Sequence, residues 1–230
     1  MCLVLLLTAL VSVLESANGA TLDQRHEGGR KYLTPEDFIL AARTPVKRPT
    51  DEEIDAIQNA QLFEGDIEGV ENADMAFMHD HINGYFGDIF RLPYHSSLNL
   101  AVYPDKLWPD GIIPYVIEES MTNEERAAIA QAFDEYKHKT CIRFVPKSNG
   151  HDDYIFLKTN RAFGCSSYVG RSGGNQTVSL EIGKCFTKGI IAHELMHALG
   201  FFHEHSRTDR DDFVEIREEN IRPGKSFIII

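Results

Sequence analysis

The chain has 230 residues, 43% of them hydrophobic and 25% charged, which suits one or two folded domains and excludes a disordered or fibrous protein. Its formal net charge is -12, and it has no basic patch with interleaved aromatics, which argues against nucleic acid as a partner. The charge is uneven: residues 20–98 hold 15 acidic and 7 basic side chains, residues 99–230 hold 19 and 16, and this asymmetry divides the chain.

Met1 to Leu14 is apolar apart from Ser and Thr, and it leads into Glu15-Ser16-Ala17-Asn18-Gly19-Ala20, with small residues before a cut after Gly19. Residues 1–19 therefore read as a signal peptide and the protein as secreted, although the usual basic start is missing; the alternative is a shortened membrane anchor. The run is too short for a membrane span, and no other run approaches that length. In residues 20–98, Thr34-Pro35-Glu36-Asp37 and Thr50-Asp51-Glu52-Glu53-Ile54 each open a short helix. Few long apolar patterns occur there, so the region reads as an extended acidic segment that does not fold alone.

From Trp108 the texture changes. Ile112 to Ile117 reads as a strand. Thr122 and Glu125 make a capping box for a helix whose face carries Ile129, Phe133 and Tyr136, which belong in a core. Further strands are expected at Ile142 to Val145, Tyr154 to Lys158 and Thr177 to Ile182, with a loop at Gly170 to Gly174, and a late helix starts near Thr187. The expected fold class is α+β, a sheet with helices packed beneath it. Of the four cysteines, Cys2 leaves with the signal peptide. Cys165 and Cys185 bracket a loop that, if closed in an oxidising compartment, would stabilise the fold by about 3 kcal/mol. Cys141 is left over, as an intermolecular pair, a free thiol, a cysteine whose partner is missing, or a buried small hydrophobe. Asn175-Gln176-Thr177 is an N-glycosylation acceptor triplet.

The late helix carries the chemistry, in His193-Glu194-Leu195-Met196-His197-Ala198-Leu199-Gly200-Phe201-Phe202-His203. His193 and His197 are four apart and share one helix face, so both can present a ring nitrogen to one metal ion. His203 joins them only if the chain turns back, and Gly200 is the residue that allows a helix to end in the left-handed region. Three imidazoles leave one tetrahedral position open, the mark of a catalytic zinc site. Glu194, beside a ligand, is placed to take a proton from a water in that position and pass it to a leaving amine. Composition alone yields the short H-E-x-x-H in roughly one such chain in 30, but the longer pattern in roughly one in 10,000. A helix of merely solvated histidines is therefore a poor account.

Beyond His203 the run holds Glu204, Arg207, Asp209, Arg210 and Asp211, and the whole resembles the astacin form of the metzincin motif. Trp108 to Tyr115, Cys165 to Arg171 and Gly174 to Leu180 are also similar to astacin landmarks, so the resemblance spans about residues 100–225. It implies a zinc endopeptidase with His193, His197 and His203 as ligands and Glu194 as general base. It also implies a Cys165–Cys185 disulfide, and a cleft rim formed by the strand near Gln176 to Leu180 that pairs with extended polypeptide substrates. Phe63-Glu64-Gly65-Asp66 resembles the propeptide motif of that family, whose Asp takes the open zinc position. This implies a zymogen: signal peptide 1–19, propeptide 20–98 and a partial peptidase domain 99–230, activated by another protease cutting between Asp66 and Trp108, with Arg91 as one candidate point. The new amino terminus would then reach Glu204.

The family pattern continues with a Met-turn, a Tyr and a Cys that are not found after Lys225. The expected architecture is thus a metzincin upper lobe, a twisted mixed sheet on a capping-box helix and the zinc helix, with the lower lobe absent and apolar residues such as Leu199 and Phe201 uncovered. Two functions compete: a secreted zinc endopeptidase, or a truncated, inactive zinc-binding or decoy module.

Overall fold

The computed structural model describes residues 30–69, 106–207 and 209–221. The signal peptide, Arg91 and the residues after 221 lie outside them. The chain builds a six-stranded sheet from β1 (Ile67–Glu68), β2 (Ile112–Ile117), β3 (Arg143–Pro146), β4 (Tyr154–Asn160), β5 (Ser166–Tyr168) and β6 (Asn175–Glu181). Their order is β1-β5-β6-β4-β2-β3. All neighbours are parallel except β5 and β6, which are antiparallel. Among the described residues four α-helices accompany it: α1 (Pro35–Arg43), α2 (Asp51–Asp55), α3 (Asn123–Lys139) and α4 (Lys188–Ala198). The mixed sheet with helices fits the α+β expectation.

The parallel pair β2 and β3 requires a crossover, and α3 supplies it. Thr122 caps α3 as its spacing implies: its hydroxyl accepts from the Glu125 N–H, and the Glu125 carboxylate accepts from the Thr122 N–H at 2.8 Å. The helix then buries Ile129, Phe133 and Tyr136 against the sheet. Phe133 stacks on Phe144 of β3 with ring centroids 4.1 Å apart and meets Tyr115 of β2 edge-on. β2 turns Ile113, Tyr115 and Ile117 inward at period two, and Ile155, Leu157, Val178 and Leu180 continue the same core.

Residues 30–69 are docked on this domain along three stretches: in the middle one Ala56 enters the main core, Cys165 N–H donates to the Ala56 carbonyl at 2.8 Å and Asn59 Nδ2 donates to the Phe163 carbonyl at 2.9 Å. α1 packs on α3 through the alanines Ala41, Ala127 and Ala130, with Leu33, Phe38 and Leu40 around them. At the other end, β1 adds to the sheet beside β5.

Two expectations are corrected. The strand near Gln176 to Leu180 is not the rim: β6 lies between β4 and β5, and Gln176, Val178, Ser179 and Leu180 are buried. Beyond β6 lies β5, a three-residue strand whose outer side is covered by β1. Leu199 and Phe201 are not uncovered either. Leu199 is buried in the main core and Phe201 packs against it, because the chain folds back at Gly200. The exposed apolar side chains in this stretch are Met196, Phe213 and Val214. Cys141 is exposed, which removes its reading as a buried hydrophobe.

Candidate metal centre

α4 starts at Thr187, whose hydroxyl accepts from the Ile190 N–H, and it places His193 and His197 one turn apart with ring centroids 4.7 Å from each other. The helix ends at Ala198. Gly200 takes a φ of 110°, a value that a residue with a Cβ adopts only under strain, and Gly200 N–H donates to the His197 carbonyl at 2.7 Å. That turn returns His203 to the other two rings, 5.1 Å from His193 and 4.8 Å from His197 between centroids. The end of α4 is fastened from outside as well: the Trp108 indole N–H donates to the Ala198 carbonyl at 2.8 Å, and Gly170 N–H donates to the His197 carbonyl at 2.9 Å.

Asp66 completes the group. It arrives through a tight turn in which Gly65 has a φ of 100° and a Cβ would stand 2.8 Å from the Ile57 carbonyl oxygen, so only glycine fits. The Nε2 atoms of the three histidines and an Asp66 carboxylate oxygen lie within 4.8 Å of one another. His193 Nε2 is 2.9 Å from Asp66 Oδ2, and His197 and His203 Nε2 are 3.5 and 3.4 Å from Oδ1. Asp66 and His197 are buried.

The hydrogen-bond chemistry tests whether a cation fits. His197 Nδ1 lies 2.7 Å from the Phe201 carbonyl oxygen, which can only accept, so Nδ1 carries the proton and Nε2 presents a lone pair. His203 Nδ1 faces the Glu64 carboxylate at 2.8 Å in the same way. Lone pairs therefore converge where His193 Nε2 stands 3.1 Å from His197 Nε2 and 3.2 Å from His203 Nε2. Tetrahedral zinc with Zn–N bonds of about 2.0 Å sets such nitrogens about 3.3 Å apart. Asp66 Oδ1 is buried without a hydrogen-bond partner among the described residues. Converging acceptors and an orphaned carboxylate oxygen fit a bound zinc ion held by three nitrogens and one oxygen.

Burial alone would raise the Asp66 carboxyl, but the His193, His197 and His203 rings packed against it outweigh burial and hold the group well below the usual carboxylate range. Glu194 is fully buried, and neither carboxylate oxygen has a partner among the described residues. Burial, then Asp66 and Glu68, push its carboxyl well above the ordinary value.

Cys165 and Cys185 are disulfide-bonded. Glu204 is exposed and accepts from Arg207 Nη1 at 3.1 Å. Asn175 is exposed at the start of β6. Two partners were not foreseen, Glu64 and the Phe201 carbonyl. Glu64 sits inside the Phe63 to Asp66 run, where a glycine that forces a turn beside a carboxylate was the available signal. Glu68, whose carboxylate accepts from the Ser166 hydroxyl at 2.5 Å, fixes β1 to β5.

The family model described as Astacin, a peptidase family, matches residues 101–227. The chain is 67% identical over 197 residues to "Zinc metalloproteinase nas-14" of Caenorhabditis elegans, covering 84% of this chain and 39% of that protein. It is 40% identical over 207 residues to "Zinc metalloproteinase nas-15" of the same organism, covering 88% and 35%. The high choriolytic enzyme 1 of the medaka Oryzias latipes, a hatching enzyme zinc-protease, aligns with a TM-score of 0.45 at 43% identity over 54% of this chain and 61% of that one. The chain thus spans well under half the length of the two nematode relatives. With the matched residues containing all three histidines of the zinc group, the chain belongs to the astacin family.

Proposed function

We propose that residues 99–230 form the peptidase part of a secreted zinc endopeptidase and that residues 20–98 keep it latent. The observation that carries this reading is the convergence of three imidazole nitrogens and the Asp66 carboxylate on one point beside a buried Glu194. His193, His197 and His203 would hold a zinc ion, and Asp66 stands beside them where an attacking water must come. Bound zinc supplies Lewis acidity, which makes water a nucleophile near neutral pH and polarises a scissile carbonyl.

Glu194 is the proton carrier: it accepts from the attacking water and returns the proton to the amine nitrogen that leaves. Its lack of a partner among the described residues suits that task, since no competing hydrogen bond must break. Departure of Asp66 and Glu68 removes two of the three causes that favour its protonated form. It also uncovers β5, whose free main-chain groups suit an extended polypeptide. Activation needs another protease to cut between Asp66 and Trp108. Glu204, exposed one residue past the last ligand, is offered to the new amino terminus, and Asn175 to a glycan.

The test is to cut the purified chain in that interval and assay a casein-type substrate with and without a zinc chelator. Chelator-sensitive cleavage that disappears in Glu194→Ala is expected. Absence of cleavage, or activity that survives Glu194→Ala, overturns the reading.

A further inference from the structure

Residues 30–44 make their contacts on α3, on β2 and at Lys147, on a surface separate from the histidines. Arg126 of α3 is 1% exposed. Its guanidinium is engaged by this segment: Nε lies 3.1 and 3.2 Å from the two Asp37 carboxylate oxygens, Nη2 donates to Asp37 at 2.8 Å and to the Tyr32 carbonyl, and Nη1 donates to the Arg30 carbonyl at 2.5 Å. Gln131 Nε2 donates to the carbonyls of Ala41 and Thr44, at 3.0 and 2.8 Å, where α1 ends. Ile117 N–H donates to the Lys31 carbonyl at 2.8 Å, and Leu33 N–H to the Tyr115 hydroxyl at 3.2 Å. The pieces of the peptidase part that grip residues 30–44 thus come from β2, α3 and Lys147 just past β3, whose carbonyl accepts from the Tyr32 hydroxyl at 2.8 Å, and none belongs to the histidine cluster.

Between this grip and the plug at Asp66 lies a joint. Residues 42–48 are all exposed, those after Thr44 form no helix or strand, and the stretch contains Arg43, Lys47 and Arg48. A segment held at two places dissociates slowly, because whichever contact opens is held near its partner at an effective concentration of millimolar order until the other also opens. Separating the two contacts abolishes that advantage.

We propose that the Arg126 face is a second receptor site for the chain's own residues 30–44, so that a single cut between Gly69 and Lys106 leaves the segment bound and the zinc group covered. Release requires a second cut in the exposed joint at residues 43–48, at a basic residue, which separates grip from plug. This rests on reading residues 20–98 as a latency segment, but its readout is retention of a fragment and not catalysis.

The experiment uses the full chain with a recognition site for one sequence-specific protease inserted between Gly69 and Lys106, and one for an orthogonal protease replacing residues 44–48. After the first cut alone, size-exclusion chromatography is expected to show both fragments co-eluting. The second cut is expected to free the fragment bearing Asp66, with dissociation faster by about tenfold or more. Asp37→Asn is expected to free the whole segment after the first cut alone. Gln131→Ala, which alters a bond at the surface, gives the same direction with a smaller effect if Asp37→Asn fails to fold. Separation of the wild-type fragments after the first cut, at the rate of the doubly cut chain, overturns the proposal. Co-elution in a chain that shows no peptidase activity in any form would retain the second site while refuting the peptidase reading.

Discussion

Of the places where residues 30–69 meet the domain, two are of opposite character. At the cleft, Asp66 is surrounded by imidazole lone pairs, and one of its oxygens is buried without a hydrogen-bond partner among the described residues. On α3, Asp37 has both oxygens engaged by Arg126 and one of them by the Thr34 N–H as well, at 2.8 Å. The first contact becomes complete only around a cation, whereas the second is complete from protein groups alone. One segment therefore combines a contact that answers to metal with one that does not.

The comparison can be broken from either side. The largest effect is expected from Asp37→Ala, which strands the buried Arg126 charge: urea denaturation should show a loss of about 3–5 kcal/mol while zinc stoichiometry stays unchanged. Next, His197→Ala should weaken zinc binding by more than about 100-fold, beyond what loss of an outer partner causes, while the α1–α3 packing persists. Equilibrium dialysis measures the first part and circular dichroism the second.

A smaller, pH-dependent effect separates the two contacts further. Burial would raise the Asp37 carboxyl, but Arg126 and the Thr34 N–H prevail and lower it from the ordinary 3.8. A lowered carboxyl contributes stability that is fully present above the ordinary value and is lost as pH falls through the lowered one. Wild-type protein should thus lose urea stability below about pH 4 more steeply than Asp37→Asn, and parallel curves would remove the ion pair from the account. The smallest effect is expected from Thr122→Ala, about 1 kcal/mol through the lost cap of the helix that carries Arg126, read from the same urea curves.

The cluster of three histidines was legible because its spacing is local: an i, i+4 pair and a glycine turn fix three side chains within eleven residues. α3 was legible through its capping box and apolar face, and the Cys165–Cys185 pair through the loop it closes. Asp66 read alone was one acidic residue among many, since its partners lie 127 to 137 positions away, and only the Phe63 to Asp66 resemblance singled it out. Arg126 was illegible for the same reason: it follows Glu124 and Glu125 and reads as a solvated helix face, although it is buried by Asp37, 89 residues earlier. The rim was misplaced because β5 is short and polar, without the alternation that marked β6.

The shortness of β5 has its own consequence. If β1 leaves, β5 replaces it as an edge of the sheet, and open edges are where chains of one kind stack into aggregates. Only three residues line this one, two of them serines. Such an edge is long enough to hold one extended peptide across a few bonds and too short and polar to template a growing sheet. The protein would thus expose a strand-pairing surface without the solubility cost that usually follows.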